Sequence, residues 1–145
     1  MIGLLQRVSK ASVTVNNEII GSIDRGLLVF FAVHRDDDEN KIARMVNKIL
    51  SYRVFPDSNN RMNLNIKDIS GELLIIPQFT LAADTDKGTR ANLTKAAPPE
   101  KALEFFKKFI DQCKQSHSAV ACGKFAADMK VSLINDGPVT FWLEI

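Results

Sequence analysis

The feature that most constrains the fold of this chain is a pair of helix-period segments, each flanked by stretches that alternate apolar and polar residues as strands do. The first segment predicts a helix over roughly residues 37–51, and the second predicts a helix that starts at Pro98-Pro99. Two helices are too few to cover both faces of a parallel sheet. We therefore predict an α+β fold with mixed sheets packed together and the helices on one side. The apolar positions that define the two helices are Ile42, Met45, Val46 and Ile49, and then Ala102, Phe106, Phe109, Ile110 and Cys113.

Turn residues divide the remainder of the chain into predicted strands. Asn16-Asn17 tolerates the positive φ of a tight hairpin, and Asp24-Arg25-Gly26 makes the next turn. Asp36 with Glu39 forms a predicted capping box, and we interpret this acidic stretch as a solvated helix start rather than a cation site. The predicted strands are Ile2 to Val8, Ser12 to Val15, Glu18 to Ile23, Leu27 to Val33, Tyr52 to Phe55, Glu72 to Ile76, Met129 to Ile134 and Val139 to Ile145.

Length and composition limit the class of protein. A chain of 145 residues suits one domain, residues 1–145, and 46% hydrophobic with 25% charged residues is typical of a globular fold. The longest apolar run, Leu27 to Val33, is too short to span a bilayer, and Met1 to Lys10 lacks a secretory signal. We therefore expect a cytoplasmic protein. Its two cysteines, nine residues apart, suit neither a zinc site nor a disulfide framework, and no motif predicts a metal or cofactor.

The charge of the chain permits a polyanionic partner without demanding one. The net charge is +2 and the sequence pI is near 8.6, which is less basic than dedicated nucleic-acid modules. Lys87, Arg90 and Lys95 lie in a long polar loop, which fits either a solvated surface or phosphate binding. His34 and His117 are interpreted as surface or rim histidines, because no carboxylate is placed to orient either one as a base.

Several motifs together resemble those of the D-aminoacyl-tRNA deacylases, the D-tyrosyl-tRNA deacylase family. They are, in chain order, "QRVSKASVTV", "LNIKDISGELLI", "PQFTLAADT", "AAPPE" and "FAADMKVSLINDGPVTFWLEI". The similarity extends along essentially the whole chain. It implies a homodimer with a β/β/α layered fold that hydrolyses the ester joining a D-amino acid to the terminal ribose of tRNA.

The resemblance also implies catalytic residues at Gln78, Phe79 and Thr80, which match the Gln-Phe-Thr part of a family motif. The backbone N–H groups of Phe79 and Thr80 are the candidate oxyanion donors. The Thr80 hydroxyl is an alternative nucleophile, but it needs an activating base that the sequence does not identify. We therefore expect attack by water, assisted by these donors and by the neighbouring ribose 2′-OH.

A second family motif, at Gly137-Pro138, implies how the substrate's handedness is selected. In the family this step is cis and reaches into the active site of the other subunit, where it faces the substrate's α-carbon. Glycine permits close approach, and a rigid backbone wall at that point rejects an L side chain. Achiral glycyl-tRNA would then escape the filter. Arg7 is the position expected to brace this loop; Phe125, Ala127 and Met129 match pocket neighbours, for which plain core packing is the alternative.

Two departures from the family pattern affect these expectations. Pro77 stands where the family commonly has serine, so a hydroxyl and a backbone donor are lost, and "RANLTKAAPP" replaces the usual "RPSFSKAA". Two other functions remain open: a nucleic-acid-binding module of the same fold without turnover, and an editing hydrolase for a mischarged L-aminoacyl-tRNA.

Overall fold

The computed structural model describes residues 1–145 and has the predicted α+β fold. Its strands are β1 (Ile2–Val15), β2 (Glu18–Ile23), β3 (Gly26–Ala32), β4 (Phe55–Pro56), β5 (Met62–Leu64), β6 (Glu72–Pro77), β7 (Val120–Cys122) and β8 (Lys130–Glu144). The helices are α1 (Asn40–Ser51) and α2 (Pro99–Ser116), with a 3-10 helix at Phe79–Ala82. Neither α-helix combines the length and apolarity needed to cross a membrane.

Six of the strands form one mixed sheet organised around β1. β1 pairs antiparallel with β8 along one edge, and with β3 and then β2 along the other. β3, β6 and β7 continue the sheet as parallel neighbours. β3 and β6 meet closely at Gly26, where a Cβ would overlap the carbonyl oxygen of Glu72. Only glycine therefore fits where this parallel pair begins.

Three predicted strand boundaries differ from the structure. The two predicted strands at the N-terminus are one continuous 14-residue strand, because β8 runs alongside nearly all of it and the intervening Ser9 and Lys10 are simply exposed. The two predicted C-terminal strands are likewise one strand, β8. In the segment predicted as Tyr52 to Phe55, only Phe55 joins a ladder, the small β4–β5 sheet. The Asn16-Asn17 hairpin is confirmed, with φ values of 50° and 66°.

Both helices cover the same face of the main sheet and create the largest of the protein's three hydrophobic clusters. The apolar stripe of α1 and that of α2 meet alternate residues of β3 and β6, including Phe31. The rings of Phe31 and Phe109 stack with centroids 4.1 Å apart. A fully buried side chain of this size contributes about 1.5–3 kcal/mol, so this face provides much of the stability.

The opposite face of the central strands β3 and β6 is covered by residues of β1 and β8, which belong to the same sheet. The distal half of β1 and the first half of β8 bring Val13, Val131 and Leu133 over Leu28 and Leu74. This arrangement gives the central strands β3 and β6 two buried faces, as expected for near-continuous apolar runs.

The start of α1 contradicts the predicted capping box, and of the acidic stretch predicted to be solvated, Asp36, Asp38 and Glu39 are exposed but Asp37 is not. Glu39 is the N-cap and makes no side-chain capping bond, so the Asp36–Glu39 box does not form. Asp37 is instead buried, with its carboxylate 2.7 Å from the Met1 ammonium and 2.8 Å from Lys41 Nζ. Burial alone would raise the pKa of Asp37, but hydrogen bonds from Lys41, the Met1 ammonium and the His34 N–H hold that pKa below its usual value.

Candidate active site

An apolar pocket lies where the three parallel strands end. β3, β6 and β7 run in the same direction, so their carboxyl ends meet at one edge of the sheet, beside the first turn of α2. Crevices at this edge are the usual ligand sites of parallel sheets. The pocket has a volume of about 220 Å³ and is mostly apolar. It is lined by Phe31, Ala32, Val33, Pro77, Gln78, Phe79, Ala97, Pro99, Ala102, Phe106, Phe125 and Ala126.

One wall of the pocket is the turn that follows β6. Gln78 N–H donates to the Phe31 carbonyl at 2.8 Å, and the chain then enters the short 3-10 helix. The N–H groups of Phe79 and Thr80 donate to no acceptor in the protein. The first N–H groups of any helix lack intrahelical partners, which explains why these two are free. Phe79 lines the apolar pocket, and Thr80 is the next residue but does not line it, so one unpaired donor lies in the pocket wall and the other directly follows it.

Pro77 is the last residue of β6 and lies opposite Phe31 in the parallel ladder. Proline has no N–H to donate to a ladder, and after the Gln78 bond to Phe31 the backbone turns. The serine hydroxyl that the family motif carries here is absent from the pocket wall. The two free N–H groups belong to Phe79 and Thr80, which come after this position, and both groups are present with proline here.

The Thr80 hydroxyl has one side-chain partner, the amide of Gln78. Gln78 Nε2 donates to Thr80 Oγ1 at 2.5 Å. An amide is not a base, and no histidine or carboxylate bonds to this hydroxyl. The geometry therefore provides nothing that would activate Thr80 as a nucleophile.

Of the three predicted pocket neighbours near the end of the chain, the structure brings only Phe125 to the pocket. Its ring lies 6.2 Å from that of Phe106. Ala127 is not among the lining residues; its N–H donates to the Lys124 carbonyl at 3.3 Å within the same loop. Met129 packs on the opposite face of the sheet, and its Sδ accepts from the Lys124 N–H at 3.4 Å. Ala127 and Met129 therefore lie outside the pocket lining of this chain.

The Gly137-Pro138 segment is a loop within β8 and not a hairpin turn. Both flanks of the segment pair with β1 in the same antiparallel direction: Asn135 lies opposite Val8, and Thr140 lies opposite Gln6. The four residues between these pairs leave the ladder next to Arg7. The peptide bond between Gly137 and Pro138 is cis.

Arg7 ties this loop to the body of the protein. Its Nε donates to the Asp136 carbonyl at 2.8 Å, and its Nη1 donates to the Val54 carbonyl at 2.6 Å. The Asp136 carboxylate lies 3.4 Å from the same Nε. One guanidinium thus fixes two backbone segments that are far apart in sequence, a task suited to the planar fork of arginine.

Asn135 provides a second brace that the sequence reasoning missed. Its Oδ1 accepts from the Val139 N–H at 2.7 Å, and its Nδ2 donates to Thr140 Oγ1 at 3.0 Å. Asparagine side chains commonly replace backbone partners in turns, and this tendency was the signal available in "NDGPVT". Gly137 is also tightly enclosed at φ +151°, where a Cβ would lie 2.7 Å from Val139 N.

The loop and the pocket are separate surfaces of one protomer. None of Arg7, Gly137 and Pro138 lines the pocket of its own chain. The two predicted groups of site residues are therefore each assembled by the fold, but not with one another.

The polar loop after the 3-10 helix is closed at its base. Asp84 and Asn92 exchange backbone hydrogen bonds, and Lys95 Nζ lies 3.0 Å from the Asp84 carboxylate. Lys87 and Arg90 are exposed between them and pair with no acid in the chain. Of the three cations predicted as phosphate contacts, two are thus free of internal partners.

An apolar pocket with a free main-chain donor in its wall can hold a small ligand with a polar group, and comparison with known proteins identifies the family. A model described as D-Tyr-tRNA(Tyr) deacylase matches residues 4–144. The chain is 52% identical to a D-aminoacyl-tRNA deacylase of Photorhabdus laumondii over 100% of both chains, and 55% identical to one of Vibrio cholerae over 99% of both. The chain belongs to the D-Tyr-tRNA(Tyr) deacylase family and is a hydrolase.

Solved structures agree with this placement. A protein called c-Myc DNA unwinding element binding protein superposes with a TM-score of 0.96 at 37% identity, covering 100% of this chain and 99% of the other. A probable eukaryotic D-amino acid tRNA deacylase superposes with a TM-score of 0.87 at 17% identity, covering 99% and 98%, which supports the fold alone. The family and the fold class predicted from the sequence are both confirmed.

Proposed function

We propose that this deacylase hydrolyses the ester of D-aminoacyl-tRNA with main-chain donors, using the N–H groups of Phe79 and Thr80 as an oxyanion hole. The observation that carries the proposal is that two consecutive N–H groups are unpaired, the first on the pocket-lining residue Phe79 and the second on the residue after it. Preorganised donors of this kind are often the largest single contribution to catalysis, because they need no reorganisation as charge develops.

The attacking nucleophile in this proposal is water. Water adds to the ester carbonyl, the carbonyl oxygen becomes an oxyanion bound by the two N–H groups, and the ribose oxygen departs with a proton. The neighbouring ribose 2′-OH is positioned by the substrate itself to assist that departure, which restricts the reaction to RNA. Support comes from the Thr80 hydroxyl, which is bonded to an amide and has no base beside it.

Selection of the D isomer is assigned to Gly137 and Pro138 of a partner protomer. The loop is exposed and lies outside the pocket of its own chain, while Arg7 and Asn135 hold its backbone in place. D and L isomers whose ammonium, carbonyl and ester positions coincide differ only in exchanging hydrogen and side chain at the α-carbon. A fixed backbone wall at that position would therefore exclude the L isomer by contact alone.

The size of the required discrimination favours a rigid wall. A thousandfold preference corresponds to about 4 kcal/mol between transition states, whereas a missing methylene in an apolar pocket supplies about 1–3 kcal/mol. Glycine has no side chain to meet the wall, so glycyl-tRNA is proposed as a further substrate.

A homodimer follows from this arrangement. β8 is a 15-residue strand that pairs only with β1, so its outer edge has no partner within the chain. Ile134, Trp142 and Phe79 are each about half exposed, at 51%, 51% and 57%. Long uncovered edges and exposed apolar side chains are normally covered in soluble proteins. A twofold axis would bring each loop to the other protomer's pocket and create two equivalent sites.

The chirality claim is tested with matched D-Tyr-tRNA and L-Tyr-tRNA under single-turnover conditions. We expect the D ester to be hydrolysed at least about a thousandfold faster than the L ester, and glycyl-tRNA to be hydrolysed at a rate near that of the D ester. Equal rates for D and L would eliminate the filter. Faster release of an L-amino acid would instead identify an editing hydrolase of the same fold.

The cross-subunit claim is tested by subunit complementation. A pocket variant, Phe79→Pro, and a loop variant, Gly137→Ala, are mixed, unfolded and refolded together. If the loop serves the partner's pocket, each mixed dimer has one intact site, and a statistical mixture recovers roughly a quarter of wild-type activity. If the loop serves its own pocket, every site contains one defect and no activity returns.

A second candidate function is binding without turnover. It is favoured by the 37%-identical structural relative whose name refers to DNA-element binding, and by the free cations Lys87 and Arg90. Phosphate-dominated binding weakens steeply with salt. Salt-sensitive binding of uncharged tRNA without any release of D-tyrosine from D-Tyr-tRNA would favour this candidate. Because the proposed substrate is aminoacyl-tRNA, we assign the enzyme to the cytoplasm.

A further inference from the structure

A second cavity, of about 340 Å³, lies beside the pocket and has no apolar residue in its lining. One side comes from the segment that joins β3 to α1, and the other comes from the end of the polar loop. The side chains that matter for its chemistry are His34, Arg35, Asp36, Lys41, Thr94 and Lys95. Its composition contrasts with the apolar pocket next to it, which suggests a ligand with an apolar end and an ionic end.

Backbone pairing between the two segments places the cavities side by side. Ala97 N–H donates to the Val33 carbonyl at 2.9 Å, and both residues line the apolar pocket. Two residues further out, Arg35 N–H donates to the Lys95 carbonyl at 2.9 Å, and both residues line the polar cavity. Two residues of extended chain span roughly 7 Å. A ligand that enters the pocket thus meets the cavity almost immediately outside it.

Most charges around the cavity are neutralised within the protein, and Arg35 is the exception among the cations. Lys95 pairs with Asp84, and Lys41 shares the buried Asp37 carboxylate with the Met1 ammonium. Arg35 pairs with no carboxylate, although its backbone carbonyl is held by Lys101 Nζ at 2.7 Å. An unpaired guanidinium on a fixed backbone is suited to binding an oxyanion through two parallel hydrogen bonds.

His34 adds a neutral donor to the same cavity. Its Nδ1 lies 3.2 Å from the Met1 ammonium, which places the acceptor at Nδ1 and the ring proton at Nε2. No group in the protein bonds to Nε2. Burial lowers the pKa of His34, and the nearby Met1 ammonium lowers that pKa further, so the ring is neutral at pH 7. The Thr94 hydroxyl is a second neutral donor.

We propose that this cavity binds a phosphodiester of the single-stranded 3′ end of the tRNA, with Arg35 as its principal contact. The inference rests on the proposed function, because it takes the aminoacyl ester to lie in the adjacent pocket. The phosphates nearest to the terminal ribose are the first anionic groups outside that pocket. The single unpaired acid in the lining, Asp36, opposes the phosphate and weakens its binding.

The test compares a substrate that carries the tRNA chain and its phosphates with one that ends at the terminal nucleoside. Wild type and Arg35→Ala are assayed with D-Tyr-tRNA and with 3′-O-D-tyrosyl-adenosine, which lacks them. We expect the ratio of kcat/KM for the tRNA over that for the nucleoside to fall about tenfold in Arg35→Ala, mainly through KM, as for a lost charge-assisted hydrogen bond. The slope of log KM against log salt should decrease by about 0.7, the value for one contact to a single strand.

Lys114→Ala is the charge-matched control. Lys114 is exposed in the last turn of α2, about 22 Å along the helix from the pocket residue Pro99. The Lys114→Ala substitution removes one positive charge without changing the cavity. The ratio of kcat/KM for the tRNA over that for the nucleoside should therefore stay within about twofold of wild type. An equal fall in Lys114→Ala and Arg35→Ala would mean that only net charge matters and would overturn the proposal.

Asp36→Asn provides a variant for which the expected change in this ratio is an increase. Removing the unpaired acid should raise the substrate ratio two- to threefold, which a folding defect would not do. A ratio unchanged in both Arg35→Ala and Asp36→Asn overturns the phosphate site while leaving the proposed function intact. If wild type hydrolyses neither substrate, the proposed function itself fails, so the two failures are distinguishable.

Discussion

The turn at Gln78–Ala82 and the loop at Asp136–Val139 achieve rigidity in opposite ways. The turn presents main-chain N–H groups that are free because a short helix starts there, and its side chains bond only to each other. The loop is held by side chains, with Arg7 on one flank and Asn135 on the other. Side-chain substitutions that leave the backbone of the turn unchanged should therefore have little effect on activity. Substitutions in the loop or in the side chains that hold it should lower activity or selectivity.

The largest effect is expected where the backbone donor itself is removed. Phe79→Pro deletes one N–H, and Phe79→Ala is its control because both variants lose the ring. Proline is tolerated at the first position of a helix, so the fold should persist. We expect kcat to be about 10²–10³ lower in the proline variant than in the alanine variant. Equal kcat values, measured on D-Tyr-tRNA, would contradict an oxyanion hole at this N–H.

Gly137→Ala should have the next largest effect. The added Cβ would lie 2.6 Å from Val139 Cγ2, so the loop must shift. Displacements of about 1 Å at a catalytic site cost about a hundredfold, and we expect a loss of that order in kcat/KM or in the D-over-L ratio. Gly88→Ala is the matched control, since Gly88 also has positive φ but no atom within 4 Å of an added Cβ. A wild-type D-over-L ratio in Gly137→Ala would remove the loop from the mechanism.

Arg7→Ala tests whether the side-chain brace matters as much as the loop sequence. The variant leaves the carbonyls of Val54 and Asp136 without their donor, and we expect it to lower the free energy of unfolding by about 1–3 kcal/mol. Selectivity should fall about tenfold as the loop loosens. Arg7→Lys should recover only part of both, because an ammonium lacks the planar fork. Chemical denaturation and the D-over-L assay measure the two effects; lost stability with full selectivity would refute the bracing role.

The smallest effect is expected for Thr80→Ala. The variant removes the hydroxyl and its bond to Gln78 but keeps the N–H group, so kcat should fall by less than about tenfold. The measurement is the single-turnover rate of Thr80→Ala on D-Tyr-tRNA, compared with that of wild type. A loss of several decades would instead identify Thr80 as a nucleophile and would reverse the contrast between the turn and the loop.

The α+β class and the two helices could be predicted from sequence because periodicity reports directly on which face is buried. Strand continuity could not, since Ser9 and Lys10 in β1 look like an interruption until β8 is seen beside them. The burial of Asp37 was also hidden, because its partner Met1 is 36 residues away in sequence. Long-range pairing decides such cases, and local pattern does not encode it.

In the candidate site, too, some features could be predicted from the sequence and others could not. Motif resemblance predicted Arg7, Gly137 and Phe125, and a loop that serves the other subunit also implies that loop and pocket are separate surfaces of one chain. It did not predict that Ala127 and Met129 lie outside the pocket lining. The free N–H groups were assigned to Phe79 and Thr80 by resemblance, because a main-chain donor leaves no residue type to detect. Asn135 was detectable in principle, yet the Gly-Pro step beside it carried the stronger signal.

The two carbonyls that Arg7 binds have a mechanical consequence. Val54 directly precedes the small β4–β5 sheet. The guanidinium therefore couples that sheet to the Gly-Pro segment, so that the two should move together. A substrate that contacts Pro138 would restrict the motion of the loop and, through the hydrogen bonds of Arg7, the motion of residues 54–64. Slower deuterium uptake there upon substrate binding would make this remote patch a reporter of site occupancy.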